Sequence, residues 1–188
     1  MQRRIMPVAA ALIVMSLAGC SGDAGTPAAT PTPPYDLAPR PVRDFEVPVR
    51  ASPAAVGKLK ITPIGLRTGM CCVVGTHAEW PAKGEYVHVR VQIQNIDRDR
   101  QKFDALEQFL VTSDGRAHRV DVNAMNIKRQ DHRVTLGAGN VLEMDLIYDV
   151  PKGTAVKAIR FTGTVTTAIG GLKVDTQRQD VPLPPTSR

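Results

Sequence analysis

The sequence predicts an all-β domain, an antiparallel β-sandwich, within a chain of 188 residues. From Val87 to Ile93, apolar residues alternate with polar ones, which is the pattern of a strand with one buried and one solvated face. The run from Leu142 to Tyr148 alternates in the same way. No window of about 12 residues carries a clear helical apolar stripe, the weakest exception being Asp121 to Arg133. Several short alternating strands without helices favour a sandwich.

Further strands follow from local pattern and turn chemistry. One begins at Lys58 to Ile61, and Ile159 with Phe161 mark another near the carboxyl end. Phe109 to Val111 leads into Asp114-Gly115, a strong turn signal, and Ala117 to Val120 returns as the partner strand of a hairpin. Upstream, Phe45, Val47 and Val49 alternate with charged residues, so this stretch is expected to pair as an edge strand.

The amino terminus has the layout of an export signal. Arg3 and Arg4 give a positive start, and Val8 to Ala18 is an apolar run too short to span a bilayer as a helix, which takes roughly 20 residues. The run ends in Leu17-Ala18-Gly19-Cys20, which resembles the lipobox of bacterial lipoproteins. The resemblance implies cleavage after residue 19, diacylglycerol on the Cys20 thiol and an acyl group on the new amino terminus. These lipids are the only attached groups expected, and they predict a lipid-anchored protein on the extracytoplasmic face of the cell membrane.

Residues 20–53 read as a proline-rich, disordered linker behind the signal peptide, residues 1–19. Prolines are frequent here and large apolar residues are few, so the segment cannot bury enough surface to offset its ordering entropy. The sandwich is expected over residues 54–174. Residues 175–188, with three prolines, read as a disordered tail.

The charge balance excludes one class of partner. The formal net charge is +6, and the bases are spread along the chain without a Lys/Arg block and interleaved aromatics. Nucleic-acid binding is therefore not expected. A modest attraction to an acidic envelope polymer or an acidic protein is consistent with this charge.

Several motifs in order resemble a known family. They are Gly84 to Asn95, Phe103-Asp104, Ser113-Asp114-Gly115, the turn from Gly137 to Gly139, and Ile147 to Gly153. Together they resemble the immunoglobulin-like domain of small secreted bacterial lipoproteins of unknown function, a family that includes the mycobacterial immunoprotective extracellular antigen. The resemblance covers roughly Val56 to Thr164 and implies an immunoglobulin-like sandwich in the cell envelope. It implies no active-site residue at these positions.

Cys71 and Cys72 are the second candidate for chemistry, because lipidation of Cys20 leaves them as the remaining thiols. An exported location is oxidising, so a vicinal disulfide, a reduced pair and an intermolecular bond are all open. A disulfide between neighbours would span about 3.8 Å between Cα atoms, shorter than usual, and would therefore be strained and reducible.

A metal site is not expected from the sequence. Cys71, Cys72 and His77 could join one of His88, His118 or His132, but no Cys-x-x-Cys or His-x-His spacing occurs. Adjacent cysteines in a regular strand also point to opposite faces. Asp97, Asp99 and Asp104 suggest a calcium loop, but three basic residues are interspersed among them.

No catalytic residue is predicted. The sequence contains no Gly-x-Ser-x-Gly, Ser-x-x-Lys or His-Glu-x-x-His motif. The leading hypothesis is a non-enzymatic interaction module with contacts at Asn95 to Lys102 and Met125 to Arg133, polar and basic stretches. Two alternatives stay open: a carrier of a small ligand or lipid, which would need an apolar cavity between the sheets, and a redox or metal-handling protein built on Cys71 and Cys72. The sequence does not fix the oligomeric state.

Overall fold

The computed structural model describes residues 38–167 and 173–185. The expected signal peptide and the lipidation site Cys20 lie outside the described residues. Within them, the strands are β1 Val47–Pro48, β2 Ala54–Val56, β3 Leu59–Val74, β4 Glu79–Asn95, β5 Gln101–Asp104, β6 Phe109–Thr112, β7 Ala117–Arg119, β8 Arg133–Leu136, β9 Val141–Val150, β10 Val156–Thr167 and β11 Lys173–Pro182. The helical elements are a 3-10 turn at Ala105–Glu107 and a short α-helix, α1, at Val122–Ile127.

Two antiparallel sheets form the sandwich that the alternating pattern predicts. Sheet 1 has the strand order β1-β3-β4-β9, with β2 also paired to β3. Sheet 2 has the order β11-β10-β6-β7, and β5 and β8 form a separate antiparallel pair. The predicted all-β, antiparallel fold is thereby confirmed, including the hairpin of β6 and β7 around Asp114-Gly115.

The core lies between the sheets and is filled by the inward phase of each strand. In β4 this phase is Val87, Val89, Val91 and Ile93, all with no exposed area. Residues from both sheets and from α1 share this core; among the largest are Tyr86, Tyr148, Phe103, Phe161, Leu110, Met125, Leu146 and Ile159. Burial at these positions is the main stabilising contribution, about 1.5–3 kcal/mol for each large apolar side chain.

The hairpin of β3 and β4 extends beyond the rest of its sheet. Pairing between β4 and β9 ends at Glu85 opposite Val150, whereas β3 and β4 stay paired to Val74 opposite Glu79. We call the part of the hairpin between residues 70 and 82 the distal arm. The arm is held by α1: Gly75 lies so close to Ile127 that a Cβ would stand 2.5 Å from its carbonyl oxygen, and Lys128 Nζ donates to the Val74 carbonyl at 3.2 Å.

The predicted linker is wrong over its last residues. Residues 38–48 lie on sheet 1, β1 pairs with β3 at the edge of the sheet, as the alternation of Phe45, Val47 and Val49 predicts, and Val49 is buried. The segment is ordered by polar contacts with the sheet, described below, which its low hydrophobicity does not reveal.

The predicted tail is also wrong at its start. β11 pairs with β10 over ten register positions, from Ala158 opposite Pro182 to Thr167 opposite Lys173. Seven consecutive residues, 174–180, are exposed, so this strand is held by its backbone ladder and carries no alternating apolar signal until Val181.

Candidate functional site

The two cysteines lie side by side on the distal arm. Their Sγ atoms are 2.8 Å apart, Cys71 is exposed and Cys72 is half-buried. The register shifts between Met70, opposite Tyr86, and Cys72, opposite Pro81, and Cys71 has no register partner. This irregularity removes the regular pleat that would send adjacent side chains to opposite faces. The expectation that the two thiols point apart is therefore wrong.

The environment of the pair favours the protonated form of the Cys72 thiol. The neighbouring Cys71 thiol, followed by the Glu79 side chain, raises the pKa of Cys72 to about 12. Because the thiolate is the nucleophile, Cys72 is a poor nucleophile at neutral pH. Both residues are free cysteines in this structure.

A groove of about 460 Å³ runs beside the cysteine pair. Two cationic side chains line it, Arg67 from β3 and Lys128 from the end of α1, together with His88 of β4. His88 Nε2 is buried and has no hydrogen-bond partner. Burial, followed by the charges of Arg67, Lys128 and Arg43, lowers the pKa of His88 to about 3, so the imidazole is neutral at physiological pH.

The outer face of sheet 1 is covered by the chain's own amino-terminal segment. Arg90 of β4 is 4% exposed and donates to Glu46 at 2.8 Å and to the Pro41 carbonyl at 2.7 Å. The Glu46 side chain is equally buried. Arg43 binds Asp145 of β9 through both carboxylate oxygens, each at 3.1 Å. We call this set of contacts the amino-terminal clasp.

The outer face of sheet 2 is open and carries a row of charged and aromatic side chains. Strand register places Arg119, Phe109, Arg160 and Asp180 side by side across four strands. The Arg119 guanidinium carbon lies 5.2 Å from the centre of the Phe109 ring, and Arg160 forms a two-point ion pair with Asp180 at 2.7 and 2.8 Å. Arg178 joins the row in a depression of about 310 Å³. Within the described residues, Arg119 and Arg178 have no carboxylate partner.

A third depression, of about 640 Å³, lies where β7 and β9 end, beside Lys83 and Gly84 of β4. Its carboxylates are occupied by structural bonds. Asp149 accepts from the backbone N–H groups of Lys83 and Gly84, at 2.8 and 3.1 Å, and Asp121 caps α1 by accepting from Ala124 at 2.9 Å. All three depressions are open to solvent and bear charged residues, so none is the apolar cavity between the sheets that a carrier would need.

The loop from Asn95 to Lys102 is closed on itself. Asn95 is fully buried, and its amide donates to the carbonyls of Asp99, Leu136 and Gly137 at 2.7–3.1 Å. Asp97 accepts from Gln101 at 3.2 Å. These polar groups organise the loop, which leaves fewer of them for a partner than the sequence suggests.

The other predicted contact stretch, Met125 to Arg133, begins inside the core. Met125 is fully buried on α1, because the helix turns this side chain inward. Its last residue, Arg133, pairs with Asp104 at 2.7 Å, and this bond engages one of the three carboxylates considered for calcium. In the described part of the chain, no three His, Cys, Asp or Glu side chains are grouped closely enough to hold a metal ion.

The fold and its surfaces define a small antiparallel β-sandwich domain with exposed charged faces. The chain belongs to the family described as domain of unknown function (DUF4352), whose profile matches residues 43–169. The family resemblance predicted from the sequence motifs is thereby confirmed. The match begins at Arg43, within the clasp.

Solved structures with a similar chain path include three bacterial proteins. A conserved hypothetical protein from Bacillus anthracis is 15% identical, with a TM-score of 0.48 over 72% of this chain and 94% of the other. The yjhA protein from Bacillus subtilis is 17% identical, with a TM-score of 0.44 over 62% and 80%. The secreted protein MPT63 from Mycobacterium tuberculosis is 12% identical, with a TM-score of 0.34 over 68% and 85%. No curated protein sequence matches the chain significantly.

Among the described residues, no helix has the length and apolar character needed to cross a membrane.

Proposed function

We propose that the protein is a lipid-anchored, extracytoplasmic binding module without catalytic activity of its own. The anchor rests on Leu17-Ala18-Gly19-Cys20 behind a short apolar run, and two or three acyl chains would give stable attachment. The observation that carries the binding role is the difference between the two outer faces. The clasp covers the face of sheet 1, whereas the arginine row of sheet 2 is open.

The ligand of the sheet 2 face is an acidic polymer of the envelope. Arg119 and Arg178 have no carboxylate partner in the described chain, and a repeating anion can contact both at once. Phe109, half-buried beneath Arg119, adds an apolar surface against which a chain can lie. An enzyme would need catalytic side chains that converge on one site, whereas a binding module needs none.

The anchor is tested with the Cys20→Ala variant. We expect this variant to leave the membrane fraction and to appear in the soluble extracytoplasmic fraction, since the thiol that receives diacylglycerol is missing. A Cys71→Ala variant is the matched control and should stay with the membrane. Retention of Cys20→Ala in the membrane would overturn the lipid anchor.

The binding face is tested with poly-L-glutamate as the probe and the Cys20→Ala protein as the soluble form. Replacing both Arg119 and Arg178 by Gln should weaken binding at least about tenfold and reduce its salt dependence, because two charge contacts are lost. Replacing Arg116, which lies on the β6–β7 turn and pairs with Asp114 at 3.2 Å, by Gln is the control. Equal affinity of the double variant and the parent would overturn the assignment of this face.

A further inference from the structure

The cysteine pair has the geometry of a chelating site. The two sulfur atoms are 2.8 Å apart, with Cys71 exposed and Cys72 half-buried, and rotations about their Cα–Cβ bonds that move the sulfur atoms apart would allow both to bind one ion. The shifted register at Cys71 produces this arrangement, which a regular strand would not allow.

The set of donors selects the kind of ion. Soft thiolates bind Cu(I) and Zn(II), but a structural zinc ion takes four protein ligands. Within the described residues, no third His, Cys, Asp or Glu completes a group with the two cysteines. A pair of sulfur donors alone suits Cu(I), which is stable with two thiolate ligands.

The groove supplies charge complementarity for such a complex. Binding replaces two S–H bonds by two S–Cu bonds: two thiols and one Cu(I) ion give a complex of net charge −1 and two released protons. No electron is transferred. The Glu79 carboxylate beside Cys72 opposes this negative charge, whereas the cationic side chains of Arg67 and Lys128, which line the same groove, favour it.

We propose that Cys71 and Cys72 form a two-coordinate Cu(I) site on the distal arm, with Arg67 and Lys128 balancing its charge. The site is independent of the sheet 2 face and of the lipid anchor.

The proposal is tested with the Cys20→Ala protein, so that Cys71 and Cys72 are its only thiols. The protein is reduced, handled without oxygen and titrated with Cu(I) against a chromogenic Cu(I) chelator. We expect one Cu(I) per chain, X-ray absorption with sulfur as the only first neighbour, and loss of binding in Cys71→Ser and in Cys72→Ser. Cys71 is exposed and Cys72 is half-buried, so Ser should be tolerated at both positions, and unchanged urea midpoints will show that the variants are folded.

Two further measurements distinguish a specific Cu(I) site from adventitious binding of Cu(I) to thiols. Because metal binding displaces protons from the thiols, Cu(I) binding should weaken on acidification. Replacing Arg67 and Lys128 by Gln should weaken Cu(I) binding, whereas Arg116→Gln should not. The proposal is overturned if binding survives either Ser variant, if nitrogen or oxygen ligands dominate the absorption spectrum, or if the Arg67 and Lys128 variants bind like the parent.

Discussion

At the scale of single residues, the ion pair between Arg90 and Glu46 is the least expected feature. Both side chains are 4% exposed, and Arg90 fills its remaining donors with the Pro41 carbonyl and with Glu143. A buried charge left without its partner keeps the full desolvation penalty, so a pair of this kind is costly to break whatever its net contribution. The packing is close as well: a Cβ at Gly65 would lie 2.5 Å from the Glu46 carboxylate.

We predict that Glu46→Gln lowers the free energy of unfolding by about 3 kcal/mol, because Arg90 loses its main counter-charge while remaining buried. Urea denaturation at pH 7 measures the difference. The matched control is Arg116→Gln, which breaks the exposed pair with Asp114 and should cost less than about 1 kcal/mol. Equal effects of the two substitutions would contradict the burial of the Arg90 pair.

His88 should make folding sensitive to mild acid. Its pKa is about 3 in the folded chain and about 6.5 when unfolded, so the unfolded state binds the proton more readily. The contribution of neutral His88 to the free energy of unfolding is fully present above about pH 7 and is lost as the pH falls through 6.5 toward 3. Between pH 7 and 5 the loss is about 2 kcal/mol.

Urea denaturation of His88→Gln at pH 7, 6 and 5 checks this prediction. The variant should have a flatter pH profile than the parent over this range, which lies above the ordinary carboxylate pKa values. The exposed His77→Gln variant should keep the parent slope. An unchanged slope in His88→Gln would assign the acid sensitivity to another group.

The sequence predicts some of these residue features and misses others for identifiable reasons. Alternation in β4 correctly predicts that the apolar residues from Val87 to Ile93 face the core. The same rule predicts that Arg90 lies on a solvated face, which is wrong. Arg90 is buried because a distant segment covers it, which local periodicity cannot reveal. The adjacent thiols meet because the register shifts at Cys71, and register depends on the partner strand.

At the scale of elements, β11 shows what the pattern of apolar residues does not detect. Its side chains from Val174 to Asp180 are exposed, yet ten register positions pair it with β10. Gln177 and Gln179 also accept from the backbone N–H groups of Gly57 and Ala55, at 2.8 and 3.1 Å, and join this strand to the end of β2. Strands with an apolar phase, such as β4 and β9, were predictable, whereas this edge strand was not.

Removing residues 175–188 should therefore destabilise the domain. The deletion takes away most of β11 together with two buried anchors, Val181 and Leu183, which contribute about 1.5–3 kcal/mol each. We expect a loss of at least about 3 kcal/mol in urea denaturation, or no folded population. A chain that ends at Pro185 keeps both anchors and should match the full chain. Full stability of the longer deletion would restore the interpretation of this segment as a tail.

At the scale of the whole molecule, the clasp moves the start of the folded domain toward the amino terminus. The chain enters across sheet 1, from Arg40 beside Glu143 to Val47 opposite Leu66. The segment that leads toward the predicted anchor thus also covers one face of the sandwich. The predicted linker boundary at residue 53 leaves this clasp outside the folded domain. Proline content and low hydrophobicity describe the segment alone and not the sheet with which it pairs.

Two shortened chains test the boundary. A chain that begins at Ala38 retains the whole clasp and should unfold at the same urea concentration as the Cys20→Ala protein. A chain that begins at Ala54 loses Glu46, β1 and the buried Val49, so its free energy of unfolding should fall by about 3 kcal/mol or more. A synthetic peptide of residues 38–53, added in excess, should raise the midpoint of the shorter chain, because it binds only the folded state. If the two chains are equally stable and the peptide has no effect, the clasp contributes nothing to folding and the domain begins at residue 54.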